Sequence, residues 1–301
     1  MVDKLRTGVF GLNSITDGGL NRNSTTVVIG ASGAGKTTMA LQFVHRGLEE
    51  GQEGVFISLD EAQAQIIKEA EAMGWTNIRA LIDSGKLVFI DASAKEFTEF
   101  VKTELPVLVE EWHGFNARIV VDPLTPVMWT IKDIYEQREY VTLLMNQLRT
   151  VGTVICTLEE HGGQGNLSGS EITIPMYVAD CVIHLRHNLL GKDAERSLKI
   201  LKFRGSAHDE SAHPYKILRG LGIVVNPTRS YKRTSKSIHE KIKKSLKEKI
   251  SGLDPEVAKR MMKVLEDLAD QDLEGLDAER FVQNILDEYQ SPRQRWSLIV
   301  R

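Results

Sequence analysis

The sequence predicts an α/β protein with a mostly parallel central sheet, extended by antiparallel strands and followed by a helical C-terminal part. Three observations carry that expectation. Short apolar, β-branched runs alternate with longer segments of helical periodicity up to residue 157. Strand-like runs then follow with short connections up to residue 226, and beyond residue 228 only helical periodicity remains.

The first five runs are 25–30 (TTVVIG), 54–59 (GVFISL), 86–91 (KLVFID), 117–122 (ARIVVD) and 152–157 (GTVICT). Their unbroken apolar character suits strands buried on both faces, the mark of a parallel sheet. Segments 36–50, 61–74, 95–112 and 134–151 are long enough to be the crossover helices. Runs 178–186, 197–204, 215–219 and 222–226 read as a meander or hairpins extending the sheet, and the core ends near Pro227. We divide the chain into a core, 1–228, and a helical extension, 229–301. Residues 229–249 hold nine Lys/Arg against two Glu, and residues 254–288 hold eleven Asp/Glu against four Lys/Arg. Three short amphipathic helices are expected within 236–290. Asp254 caps one that begins at Pro255, with Val257, Met261, Val264, Leu265 and Leu268 at helical spacing; Asp277 caps another bearing Phe281, Ile285 and Leu286. The basic run then reads as a solvated face paired against the acidic helices.

Composition narrows the function. A net charge of −3 exerts no global pull toward nucleic acid. Cys156 and Cys181 lie inside apolar runs and read as buried residues, and no C-x-x-C or H-E-x-x-H spacing supports a cysteine or histidine metal site. The N-terminal stretch lacks a basic region followed by an apolar one, and no run of 18 apolar residues occurs, so no membrane contact and a cytoplasmic location are expected.

Gly30-Ala31-Ser32-Gly33-Ala34-Gly35-Lys36-Thr37 fits the phosphate-binding pattern G-x-x-x-x-G-K-[ST], between a strand and a helical segment. Glycines let backbone N–H groups converge on phosphate oxygens, and the helix that follows points its positive end at the same anion. Lys36 reaches β- and γ-phosphates, Thr37 offers a hydroxyl to Mg2+, and Thr38 lies nearer the α-phosphate. The ligands expected are therefore ATP or ADP, with Mg2+. A carboxylate at a neighbouring strand end completes the metal site: Asp122 is the candidate, with Asp91 as its rival. Asp60 and Glu61 end another strand, where they can polarise the attacking water, cap the helix that follows, or do both. Lys202 and Arg204, two apart on a strand, share one face; they are either fingers on a γ-phosphate or the solvated face of an edge strand.

The stretch LRTGVFGLNSITDGGLNRNSTTVVIGASGAGKTTMALQF resembles the KaiC-like branch of the RecA/RadA superfamily of ATPases. VFISLDEAQAQIIKEAEAMGW, ICTLEE and LKILKFRGSAH continue the likeness in the same order, from residue 6 to about 226. The resemblance implies a RecA-like fold, ATP hydrolysis and a homo-oligomer, a hexameric ring with ATP between neighbours. Gly33 to Thr38, Asp122 and the acidic pair would come from one subunit, and Lys202, Arg204, Ser206 and His208 would reach the nucleotide of the next. Three departures qualify it. Asp60 is a methylene shorter than the usual Glu; Asp209-Glu210 follow where a Lys is common; and Met176 and Tyr177 replace the Ser-Thr autophosphorylation pair of the clock members, so an autokinase role is not expected. The function expected is an oligomeric regulatory ATPase. A DNA-binding recombinase paralogue is not favoured, because loop 161–170 holds no Lys, Arg or aromatic residue. A nucleotide-gated scaffold that docks a protein partner on its C-terminal helices is the third reading.

Overall fold

The structure, a computed structural model, describes residues 3–112, 114–161, 165–188, 195–226, 235–250, 253–267 and 277–289. A short antiparallel pair, β1 (Lys4–Leu5) and β2 (Leu20–Asn21), flanks helix α1 (Leu12–Ile15). The core follows as β3 (Thr25–Gly30), α2 (Lys36–Glu49), β4 (Gly54–Ser58), α3 (Gln63–Ala72), α4 (Ile78–Asp83), β5 (Leu87–Asp91), α5 (Ala94–Thr103), α6 (Leu105–Glu111), β6 (Ala117–Asp122), α7 (Thr125–Thr130), α8 (Ile134–Val151) and β7 (Gly152–Glu159). Then come α9 (Ser170–Val178), β8 (Cys181–Asn188), β9 (Glu195–Phe203), β10 (Ala212–Leu218) and β11 (Gly222–Val225), and the extension supplies α10 (Ser235–Ile250), α11 (Pro255–Asp267) and α12 (Ala278–Tyr289).

Among the described residues nine strands form one sheet in the order β11-β10-β9-β8-β3-β7-β6-β4-β5. All pairs from β8 through β3 to β5 are parallel, and those among β8, β9, β10 and β11 are antiparallel. The strand with the phosphate-binding pattern, β3, is central. Val27, Val28 and Ile29 are wholly buried; Val28 joins the apolar layer containing Met39 and Phe43 of α2, while Val27 and Ile29 join the layer containing Val141 and Leu144 of α8. Alternate residues of one strand thus hold helices on both faces of the sheet. The two cysteine thiols are fully buried, and burial pushes each up to about 12.

Three expectations about elements need correction. The single helix over 95–112 is two, α5 and α6, with the break just before Pro106; proline removes a backbone donor and its ring opposes the carbonyl four residues back. Helix α4 was not foreseen. Run 178–186 is not strand throughout: 178 still belongs to the crossover helix α9, and β8 starts at Cys181, pairing parallel to β3 on one side and antiparallel to β9 on the other, so it joins the parallel sheet to the meander. An apolar run continuing through the end of α9 hides that boundary.

The extension packs on the core. Ile242 and Leu246 of α10, Met261 of α11, and Phe281, Val282, Ile285 and Leu286 of α12 share an apolar cluster with Phe10, Leu218, Leu221 and Val224. The outer backbone edge of β11 is met by the N-terminal segment, with Val225 N donating to Phe10 O at 2.8 Å, so the extension adds side-chain packing there. The proposed boundary at 228/229 and the final segment 290–301 lie outside the described residues, as does Leu268.

Candidate nucleotide-binding site

Between β3 and α2 the chain turns through Gly33 and Gly35, both in the left-handed region (φ 74° and 92°). At Gly35 the backbone conformation disfavours any side chain, and a Cβ would also displace the tip of Ile217, 2.8 Å away. Ser32 and Gly33 are exposed at the apex, Ala34 is buried beneath them, and Lys36, Thr37 and Thr38 form the half-buried first turn of α2. Lys36 Nζ donates to Ala31 O at 3.3 Å. Burial lowers the proton affinity of its ammonium, against the opposing pull of Glu159, Asp122 and Glu160.

Asp122 ends β6 and is 5 % exposed. Its carboxylate accepts hydrogen bonds from the hydroxyls of Thr157, on β7, and Thr37. Burial raises its pKa, while the two hydroxyls and Lys36 favour the charged form. The hydroxyl and carboxylate expected to share a metal ion therefore lie together. The rival Asp91 ends β5, four strands from β3 at the sheet's far edge, and is exposed.

Ser58, the last residue of β4, pairs with Asp122, and Leu59 N donates to Asp122 O at 2.9 Å. This brings the acidic pair to the same rim. Asp60 is exposed and Glu61 half-buried. Burial raises the Glu61 pKa, helped by repulsion from Glu69, Asp122 and Asp60. Its Oε2 is sealed from water with no hydrogen-bond partner among the described residues. Neither acid caps α3: the N-cap is Ala62, without a side-chain bond. Of the two readings left open for the pair, the capping one is removed.

Lys202, Arg204, Ser206 and His208 are not at this rim. Lys202 opposes Val182, which pairs with Val27, whereas the loop starts at Gly30, whose register runs through Leu185 to Leu198. Four residues of strand separate Leu198 from Lys202, roughly 13 Å. Lys202 Nζ donates to the carbonyls of Met176, Tyr177 and Ala179 (2.9, 2.9 and 2.6 Å) at the C-terminal end of α9, so all three of its protons are used. Arg204 Nη2 donates to Tyr177 O at 2.7 Å, and its side chain is exposed. The Ser206 hydroxyl accepts from Lys4 Nζ, and the His208 ring lies 6.3 Å from that of Phe203.

Some residues of the site carry no mark in the sequence. Tyr215 Oη, on β10, donates to Ala34 O at 2.5 Å, and Arg196 Nη2, on β9, reaches Gly33 O at 3.4 Å. Burial holds the Tyr215 phenol well above its usual range, so it stays a donor. Pinning the Ala34 carbonyl fixes that peptide plane, and with it the direction of the Gly35 N–H on the opposite edge. His184 and Glu160, both buried, pair at 2.9 Å just behind the loop, and Glu160 N donates to Gly30 O at 3.1 Å. Nothing local signals such partners, which come together from up to 181 residues apart.

A glycine-rich turn from a central parallel strand into a helix, a buried strand-end aspartate on its threonine, and a flanking antiparallel extension define a P-loop protein of RecA-like fold. The family profile for the KaiC ATPase matches residues 5–230. The chain belongs to the KaiC ATPase family. It is 33 % identical over 250 residues to the circadian clock oscillator protein KaiC 1 of Synechocystis sp. (80 % of this chain, 47 % of the relative). With the circadian clock oscillator protein KaiC of Picosynechococcus sp. the identity is 32 % over 253 residues (80 % and 48 %). The chain thus spans about half the length of these curated relatives. A crystal structure of a KaiC-like protein from the archaeon Pyrococcus horikoshii OT3 superposes with a TM-score of 0.63 at 27 % identity, covering 75 % of this chain and all of that one. Among the described residues no helix is long and apolar enough to cross a membrane.

Proposed function

We propose that this chain binds ATP, or its product ADP, with Mg2+, and hydrolyses ATP as an oligomeric regulatory ATPase whose sites are completed by a neighbouring copy. The observation that carries the reading is the contact of Thr37 with the buried Asp122 beneath Lys36. Both are hard oxygen donors, and among the described residues no group of three or more His, Cys, Asp or Glu forms a metal cage. Two protein oxygens suit Mg2+, which keeps waters and takes phosphate oxygens for the rest. Thr37 and Asp122 would hold Mg2+ there, and it would supply neutralisation of the phosphate charge.

The chain's own groups do the remainder. The loop amides cradle phosphate, and Lys36 exchanges its weak bond to Ala31 O for phosphate oxygens. Glu61, half-buried at the rim and with raised proton affinity, takes the proton of the attacking water, and Asp60 beside it helps raise that affinity. Arg204 stabilises the charge on the nucleotide of the next copy in a ring, hexameric by analogy with the family. Lys202, saturated by the carbonyls closing α9, holds the strand from which Arg204 projects, and Ser206 and His208 belong to the turn after it.

Calorimetric titration with ATP and ADP, alongside phosphate release, tests this. Wild-type protein should bind both nucleotides and turn ATP over, and chelating Mg2+ should stop turnover. Lys36→Ala should lose turnover and weaken ATP binding at least about tenfold. Wild-type protein that takes up neither nucleotide would end the reading; binding without turnover would leave a nucleotide-gated scaffold.

A further inference from the structure

Helix α10 spends its apolar residues inward. Ile242 and Leu246 are buried and Ile250 is packed against the same cluster. Its exposed residues from 240 to 249 are Lys241, Lys243, Lys244, Lys247 and Lys249, with Glu240 and Glu248 among them. Helix α11 packs beside α10 and adds exposed Lys259 and Lys263. From 240 to 249 α10 sets five lysines against two glutamates, +3 among the described residues, and α11 adds two lysines behind the exposed Asp254, on a chain whose net charge is −3. The sequence reading paired these lysines with the acidic helices, many of whose acids lie outside the described side chains. Among the described residues no ion pair joins a carboxylate to any of the seven lysines, and Lys249 bonds the neutral Gln283 at 3.0 Å. Three of the described acids of the extension are engaged elsewhere. Asp277 caps the backbone N–H of Arg280, Asp287 accepts from Gln283, and Glu288 is buried against the N-terminal segment.

We propose that this lysine face is a docking surface for the phosphodiester backbone of nucleic acid, engaged without sequence preference. Charge complementarity selects a polyanion, and the rest of this acidic chain repels one, so the face sets the direction of approach. A lipid surface is disfavoured because a helix lying in a membrane interface buries its apolar side in lipid, and the apolar side of α10 is already taken by the protein. The exposed residues of α10 from 240 to 249 are lysines and glutamates alone, with no Asn, Gln or Arg to read a base edge and no aromatic ring to stack on one. Each phosphate neutralised releases a counterion, so binding must weaken steeply with salt.

The test is fluorescence anisotropy with labelled mixed-sequence oligonucleotides, duplex and single-stranded, between about 50 and about 200 mM salt. Wild-type protein should bind either form at low salt, equally for unrelated sequences, with a slope of log affinity on log salt of about −3 to −5. Lys243→Glu/Lys244→Glu/Lys247→Glu should keep the wild-type melting curve, lose at least about tenfold in affinity at low salt, and flatten the slope by about two to three. Lys243→Gln/Lys247→Gln, a milder change at exposed positions, should shift both quantities the same way and decides the matter if the triple variant misfolds. Phosphatidylcholine vesicles containing phosphatidylserine should bind less tightly than duplex at the same salt. The proposal is overturned by no binding of either oligonucleotide at low salt, by full affinity in a folded variant, or by tighter binding to the vesicles.

Discussion

Glu61 lies half-buried beside Asp122 with three other carboxylates, those of Glu69, Asp122 and Asp60, pressing on its charge. Burial is the larger cause, and both act in one direction: the proton is held above the ordinary value of 4.5. Below that raised value Glu61 is protonated and cannot accept a proton from water. As pH rises through it the base appears and turnover should climb. A wild-type pH–kcat profile should therefore show an acid limb above the usual carboxylate range, and Glu61→Gln should lower kcat by about 10²–10⁴ and remove the limb. An unchanged limb in Glu61→Gln would assign it to another group. At this scale the site was legible where chemistry is local: a loop motif, a strand-end aspartate and a diacid each sit within a few residues of the backbone feature that aims them. Tyr215, Arg196 and His184 were not legible, because each meets the loop or its flank only after the sheet has assembled.

Among elements, the strand–helix alternation of the core was readable because buried parallel strands and their crossover helices leave different periods in the chain. The crossover into β8 was not, since α9 is short, contains Pro175 and is parted from the strand by Ala179 and Asp180 alone. Nor does periodicity show where the extension docks. Its last described helix places Glu288, 2 % exposed, against the N-terminal segment and α2. Glu288 accepts from Gly8 N at 2.9 Å and from Asn13 Nδ2, and its carboxylate lies 3.5 Å from Arg46 Nε; Arg6 and Arg46 both bond its main-chain carbonyl. Arg46 belongs to α2, the helix that begins with Lys36 and Thr37. Removing one partner from a buried charged cluster strands the others, at a cost of roughly 3–5 kcal/mol. Glu288→Ala should lower the melting temperature by on the order of 10 °C. Glu288→Gln, which keeps an acceptor for Gly8 N, should fall between the two in the same thermal melt. An Ala variant melting with wild type would mean that the extension rests on the core without stabilising it. On this view the division at 228/229 that we propose is one of sequence and connectivity, not of independent folding.

At the scale of the whole molecule the register of one sheet sets Arg204 apart from the loop of its own chain. A strand leads from its own loop to its basic residues in opposite directions, so Arg204 sits about four residues of β-strand away from the nearest point of the loop it would have to serve. Its guanidinium is exposed beside Tyr177, which is 70 % exposed, at a surface available to another copy. If Arg204 acts across an interface, a subunit lacking it still owns a complete P-loop, and a subunit lacking Lys36 still owns a complete arginine. Each variant alone, Arg204→Ala or Lys36→Ala, should be nearly inactive. Mixed in equal amounts and allowed to exchange, they should regain about a quarter of wild-type turnover, because half the sites keep a working loop and half of those face a working arginine. An arginine acting within its own chain, or only on folding, leaves no mixed interface with both parts intact, and the mixture would then stay as inactive as its components at every ratio. Turnover per subunit should also fall on dilution in step with the mass seen by light scattering, since a site built from two copies dissolves when they part.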